Sequence, residues 1–174
     1  AAGARVLVTM KHVGVNVCAD PLFTAAYTGV NGGLVILAAD DPGMFSSQNE
    51  QDSRYYAMAS MVPIMEPADS AEAHRFAKDA YGISEQFDTP VMMRSTVRIS
   101  HTKTPVEVGE RTEVAKRPYK KDCAKWVMMP AFAKPRRKVL VERISKIREW
   151  VETCPYNTIE RNTPEGSNKR IGII

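Results

Sequence analysis

Lys11, His12, Gly14 and Asn16 follow directly on the apolar run Val6-Leu7-Val8 and its extension Thr9-Met10. A second polar group, Asp40-Asp41-Pro42-Gly43 with Ser46-Ser47-Gln48-Asn49-Glu50 after it, follows Leu34-Val35-Ile36-Leu37-Ala38-Ala39. An imidazole such as that of His12 serves proton transfer, or stabilises negative charge as it develops on a substrate. Lys11 adds a cation that suits a carboxylate. Gly14 lets backbone approach a ligand ring, or starts a helix. Asn16 bonds a ligand or caps that helix. Asp41, paired with Asp40, suits acid–base work, although Pro42-Gly43 makes an ordinary turn the favoured reading. Ser46-Ser47-Gln48-Asn49 offers hydroxyls and amides to a polar ligand, and is also a good helix start with Glu50 as a first-turn anion. Arg54 reads as the partner of an acidic side chain rather than of substrate. His12 keeps two readings, a ligand-facing group or a loop-stabilising histidine. As a loop side chain its loss should barely alter stability.

Two such loops about 30 residues apart, each at the end of a buried-strand pattern, are how a parallel α/β sheet presents chemistry. Residues 4–10, 33–39, 62–66 and 91–97 read as strands, the third weakened by Pro63. Residues 16–28 form a helix ended by Gly29, with Pro21 tolerable only in a first turn. Residues 48–60 form the next. Asp69-Ser70-Ala71-Glu72 is a capping box, and Ala73, Phe76, Ala77, Ala80, Ile83 and Phe87 mark one face of the helix it opens. The order βαβαβαβ predicts a parallel sheet with flanking helices and right-handed crossovers.

The pattern fails after residue 98. Residues 99–135 carry Pro105, Pro118, Pro130 and Pro135 among basic residues and read as a linker draped over the domain, with Trp126, Val127, Met128, Met129 and Phe132 seeking burial. A helix follows over 136–152, with Leu140, Ile144, Ile147 and Val151 as its stripe, and 171–174 reads as a strand. The organisation is therefore an α/β domain over 1–98, a linker over 99–135, and a helix with the start of a next domain over 136–174.

Composition narrows the classes. The chain of 174 residues, 44% hydrophobic and 25% charged, suits a soluble globular protein. No apolar run approaches the ~20 residues of a membrane span. The first apolar run carries Arg5 and Lys11 and does not read as a signal peptide. Cys18, Cys123 and Cys154 form no C-x-x-C pair, so no iron–sulfur or zinc site is expected within the chain, and their sparse odd number fits a reducing cytoplasm. Residues 1–100 hold 7 Lys+Arg against 11 Asp+Glu, and residues 101–174 hold 17 against 9, so the basic excess lies in the second part. A nucleic-acid module or a purely structural interface domain would use that excess. The basic part lacks a zinc, helix-turn-helix or RNP signature, and its aromatics are thinly spread, which disfavours nucleic acid.

Thr9-Met10-Lys11-His12-Val13-Gly14-Val15-Asn16, Ala26-Tyr27-Thr28-Gly29-Val30-Asn31-Gly32-Gly33, Asp40-Asp41-Pro42-Gly43-Met44, Ser46-Ser47-Gln48-Asn49-Glu50-Gln51-Asp52-Ser53-Arg54 and Phe87-Asp88-Thr89-Pro90-Val91 resemble the α subunit of indolepyruvate ferredoxin oxidoreductases. The likeness covers nearly the whole chain and is densest over residues 3–101. It implies thiamine diphosphate chemistry, the oxidative decarboxylation of an aryl 2-oxoacid, with coenzyme A as acyl acceptor and ferredoxin as electron acceptor. It also implies an incomplete pyrimidine-binding domain followed by a linker. His12 is then the catalytic candidate, and Lys11, Gly14, Asn16, Asp41, Gln48 and Asn49 the cofactor-binding candidates. Magnesium, the diphosphate site and the iron–sulfur clusters are expected elsewhere in the parent enzyme, together with a β subunit and a homo-oligomeric assembly. These residues alone should be inert.

Overall fold

The computed structural model describes residues 2–158. The strand read at 171–174 lies outside the described residues. Four strands, β1 (Val6–Lys11), β2 (Leu34–Asp40), β3 (Ile64–Met65) and β4 (Val91–Thr96), form one sheet in the order β1-β2-β4-β3, and every pairing is parallel. The expected α/β class and common strand direction are both observed. Strand β3 is shorter than the run 62–66. Pro63 has no N–H to give a ladder, and its carbonyl instead accepts from the Met92 amide at 2.9 Å.

Alternation along the strands divides the core. On one face Ile36, Ala38 and Met92 meet helices α1 (His12–Val17), α2 (Ala19–Thr28) and α3 (Ser53–Ser60) through Val15, Leu22, Ala26 and Ala57. On the other, Val35, Val91 and Met93 meet α4 (Ser70–Phe87) through Phe76, Ala80 and Ile83. Each fully buried apolar side chain of this size contributes roughly 1.5–3 kcal/mol. The side of each helix follows from right-handed crossovers: the step β1→β2 places α1 and α2 on one face, and the backward step β3→β4 places α4 on the other.

The helix boundaries differ from the sequence reading in instructive ways. The helix expected over 16–28 starts at His12 and breaks at Cys18. That break leaves Pro21 in the first turn of α2, where its missing N–H has no partner to lose. Helix α3 begins at Ser53, not 48, because Asp52 caps it by accepting from the Arg54 amide, while residues 46–51 bond elsewhere. The capping box of α4 is present: Asp69 accepts from the Glu72 amide at 2.8 Å, and Glu72 reaches back to the Ala68 amide at 2.9 Å. In the stretch read as a linker, two short helices, α5 (Val97–His101), which starts just before it, and α6 (Cys123–Trp126), flank a long exposed run. Helix α7 (Pro130–Val151) starts six residues before the predicted 136, with Pro130 in its first turn. Trp126, Met128 and Phe132 are partly buried, while Val127 and Met129 stay exposed.

Helix α7 buries Leu140 and Ile147, and two of its arginines converge with Lys125 on one carboxylate. Asp88, in left-handed conformation at the end of α4, bonds the Val30 amide and Lys125 at 2.8 Å each, and Arg143 at 3.2 Å. Arg136 lies 3.7 Å away. Arg143 is buried and also donates to the Ala26 carbonyl at 2.6 Å. Burial pushes its pKa down, and the Asp88 charge opposes that shift. Asn tolerates the same left-handed backbone, so Asp88→Asn isolates the charge. We expect it to destabilise the fold by about 1–3 kcal/mol, with the amides of α7 losing protection first in hydrogen exchange. Unchanged α7 exchange would show that the ion pairs do not hold the helix.

Candidate functional site

The two polar groups meet at the carboxyl edge of β1 and β2, as their places after the strands require. Lys11 ends β1 and His12 opens α1; Asp40 ends β2, and residues 41–52 form an irregular loop laid over the start of α1. His12 is not a loop residue. It is fully buried, and its Nε2 lies 3.2 Å from the Asn49 carbonyl. A carbonyl only accepts, so Nε2 carries the proton. In the neutral ring Nδ1 is then a bare lone pair, and it has no partner within the described residues.

Three further side chains fix the loop. Lys11 Nζ donates to the Ser46 carbonyl at 2.7 Å. The Asp41 carboxylate accepts from the Phe45 amide at 3.1 Å, the Ser46 amide at 2.9 Å and the Ser47 hydroxyl. Glu50 accepts from the Gly43 amide at 3.1 Å. The Met44 amide closes the expected turn on the Asp41 carbonyl, but Ser46-Ser47-Gln48-Asn49 does not start a helix. Asn16 does not cap one either. Its side-chain amide donates to Gln51 at 3.1 Å, Gln51 donates to Asn49 at 2.9 Å, and the Tyr56 hydroxyl also bonds Gln51 at 3.1 Å. Side chains of Lys11, Asn16, Gln48 and Asn49 reach solvent. Gly14 packs on β1, where a Cβ would come 3.0 Å from the Met10 Cβ.

Hydrogen bonds from Ser47, then from the Ser46 and Phe45 amides, with the Lys11 charge nearby, hold the Asp41 pKa below the ordinary carboxylate range despite its desolvation. A depressed folded-state pKa gives stabilisation that is present above the unfolded value and lost as pH falls through the folded one. We therefore expect the 43–47 loop to loosen only at pH below the usual aspartate range, followed by amide chemical shifts of Phe45 and Ser46. Asp41→Asn should show that looseness at neutral pH. A loop that loosens in the variant only on acidification would overturn this role for Asp41.

Sequence reasoning missed the ion network beneath the loop. Arg94, 6% exposed on β4, donates through Nε to Asp40 at 2.6 Å and through Nη1 to Glu66, with Asp52 3.7 Å away. Asp40, 2% exposed, also accepts from the Ser53 amide at 3.0 Å and from the Ser53 hydroxyl. Burial works against the Arg94 charge, but the Asp40 hydrogen bond and the Glu66 and Asp40 charges outweigh it and raise the pKa. Arg54 pairs with Asp52, as read from the sequence. The signal for the network was a lone arginine inside the apolar strand Val91-Met92-Met93-Arg94, since a buried cation requires a partner. No group of three His, Cys, Asp or Glu side chains fit for a metal ion occurs among the described residues, and no helix among them is long and apolar enough to cross a membrane.

No family model matches the chain, and no solved structure matches it. Curated proteins do. The chain is 42% identical over 175 residues to indolepyruvate oxidoreductase subunit IorA of Methanothermobacter marburgensis, 41% over 175 to that of Archaeoglobus fulgidus, and 43% over 179 to that of Pyrococcus abyssi. The alignments take in 99–100% of the chain. The chain is thus similar over its whole length to one segment of the IorA subunits. It spans a little over a quarter of these relatives, 27–28% of their length. The matched segment comprises a parallel sheet, the two loops at its carboxyl edge, and the long helix α7.

Proposed function

We propose that this chain is the part of a larger 2-oxoacid oxidoreductase subunit that receives the aminopyrimidine of thiamine diphosphate. The complete enzyme would convert aryl 2-oxoacids such as indolepyruvate to the acyl-coenzyme A, with ferredoxin as electron acceptor and a β subunit as partner. The carrying observation is similarity to the IorA subunits over the whole chain. The residues fit one part of the cofactor. An orphaned buried ring nitrogen and a chain of side-chain amides suit a polar heterocycle. The described residues gather no acidic cluster for magnesium, so the diphosphate and its ion would be held by other segments. Bound thiamine diphosphate supplies the nucleophilic carbon and the electron sink that decarboxylation requires.

This chain's residues then bind and orient. Asn16, Gln48 and Asn49 offer amides to the ring edge, and Lys11 brings a cation for the substrate carboxylate. Asp41 and Gly14 hold the loop and α1 where those groups point. His12, held through Nε2 by the Asn49 carbonyl, has Nδ1 left to accept a hydrogen bond or a proton. Iron–sulfur clusters held elsewhere in the parent enzyme would carry the electrons onward. The test is an assay of the complete subunit with its β partner. Ferredoxin reduction should require indolepyruvate, coenzyme A and thiamine diphosphate together, with the aryl acyl-coenzyme A found by mass spectrometry. Absence of coenzyme A-dependent reduction with any 2-oxoacid would overturn the proposal.

A further inference from the structure

Met44 and Phe45 stand out against the loop that carries them. Apart from Pro42 they are the only apolar side chains between Asp40 and Ser53, and both face solvent, Met44 50% exposed and Phe45 81%. Single exposed apolar residues are ordinary on a protein surface, but this pair is held out by a fixed backbone. The Gly43 amide bonds Glu50 at 3.1 Å, and the Met44 amide bonds the Asp41 carbonyl at 3.0 Å. The Phe45 and Ser46 amides bond the Asp41 carboxylate at 3.1 and 2.9 Å. Met44 also takes a left-handed backbone, φ 55°, which a residue with a Cβ adopts only under strain. A strained, rigid turn that keeps an aromatic ring in water adds nothing to the core, and strain of this kind gathers where ligands are held.

Lys11 gives the tip its chemical neighbour. Its Nζ lies 2.7 Å from the carbonyl of Ser46, the residue after Phe45, and an ammonium bonded once has donors to spare. A cation is thus fixed one residue from an exposed ring, at the carboxyl edge of β1 and β2 where a parallel sheet receives its ligands. That pairing matches a molecule with a carboxylate at one end and an aromatic ring at the other. We propose that Phe45, flanked by Met44, selects aryl over alkyl 2-oxoacids, its ring packing against the substrate's ring while Lys11 takes the carboxylate. Aromatic rings attract one another with centroids about 4.5–7 Å apart, and a flexible thioether adapts to rings of different size. The assignment deepens the reading of this edge as a 2-oxoacid site and rests on it. None of the bonds that shape the turn uses the Phe45 side chain, so the ring can be removed without dismantling the loop.

The test is titration of the complete subunit, with its β partner and thiamine diphosphate, against indolepropionate and against propionate. Both carry the carboxylate, neither has a keto carbon to react, and only the first has a ring. The parent protein should bind indolepropionate about tenfold or more tighter than propionate. Phe45→Ala should remove about tenfold of that preference, the scale of one aromatic pair with the area it buries. Phe45→Tyr keeps the ring and should retain the preference to within about threefold. The melting temperature should hold in both variants, because the side chain is exposed. An aryl preference absent from the parent, or kept in Phe45→Ala, would overturn the assignment. So would loss of the β subunit from Phe45→Ala with the preference intact, which would make the tip a protein anchor. A parent that prefers the aryl ligand through Phe45 yet turns over no 2-oxoacid would sink the oxidoreductase reading while leaving the ring recognition in place, so the two failures are told apart.

Discussion

Arg94→Leu should cost about 3–5 kcal/mol of folding stability, the largest single loss expected at a polar position in this chain. The argument starts from Asp40. Its carboxylate is 2% exposed and retains the Ser53 amide and hydroxyl as donors, but Arg94 supplies the charge that compensates it. Leucine fills most of the space and leaves that carboxylate buried without a cation. Glu66, more exposed, loses its partner at less cost. Because whole domains are stable by only about 5–15 kcal/mol, the variant should shift sharply in denaturant titration. Arg94→Lys should fall between, since lysine keeps the charge but cannot reach Asp40 and Glu66 together from one planar fork. The decisive variant is Asp40→Asn with Arg94→Leu. Removing both charges should recover part of the loss, giving a coupling well above the ~0.5 kcal/mol of independent sites. Strict additivity would show that Arg94 contributes only through its apolar contacts.

The network explains how far the sequence could be read. Strand direction, the α4 capping box and the placing of both polar loops at one sheet edge were legible, because each depends on local pattern: apolar runs, a cap three residues from its acid, and turn residues after a strand. Positions held by long-range pairing were not. Asp40 reads as a turn residue until Arg94, 54 residues later, is seen to bond it. Residues 46–50 carry a respectable helix start, yet Asp41, Lys11 and His12 bond that backbone in a loop and defer the helix to Ser53. Gln51, which ties Asn16 and Tyr56 to the loop, has no local signal at all. The length of α7 was hidden by Pro130 and Pro135, which look like breakers: Pro130 sits in the first turn, and the helix runs on through Pro135.

His12 is where the sequence reading and the structure part most. A loop histidine would contribute little to stability, within ~0.5 kcal/mol. Full burial reverses that expectation. His12→Ala should cost about 2–4 kcal/mol, since it opens a ring-sized cavity and strips the Asn49 carbonyl of its donor. In the complete enzyme it should also lower kcat by about 10²-fold or more, the scale of losing one preorganised polar group. Alanine alone cannot separate the two effects, because a displaced loop slows turnover by itself. Glutamine can. Its side-chain amide reaches about as far as Nε2 and keeps a donor for Asn49, while supplying nothing at the position of Nδ1. His12→Gln should therefore regain most of the stability, to within about 1 kcal/mol of the parent, and still turn over slowly. Asparagine places its amide near Nδ1 instead and should show the opposite balance. Thermal denaturation beside steady-state kinetics with indolepyruvate reads both quantities. Near-normal kcat in a well-folded His12→Gln enzyme would mean that Nδ1 is never used, and that His12 serves only to latch the loop.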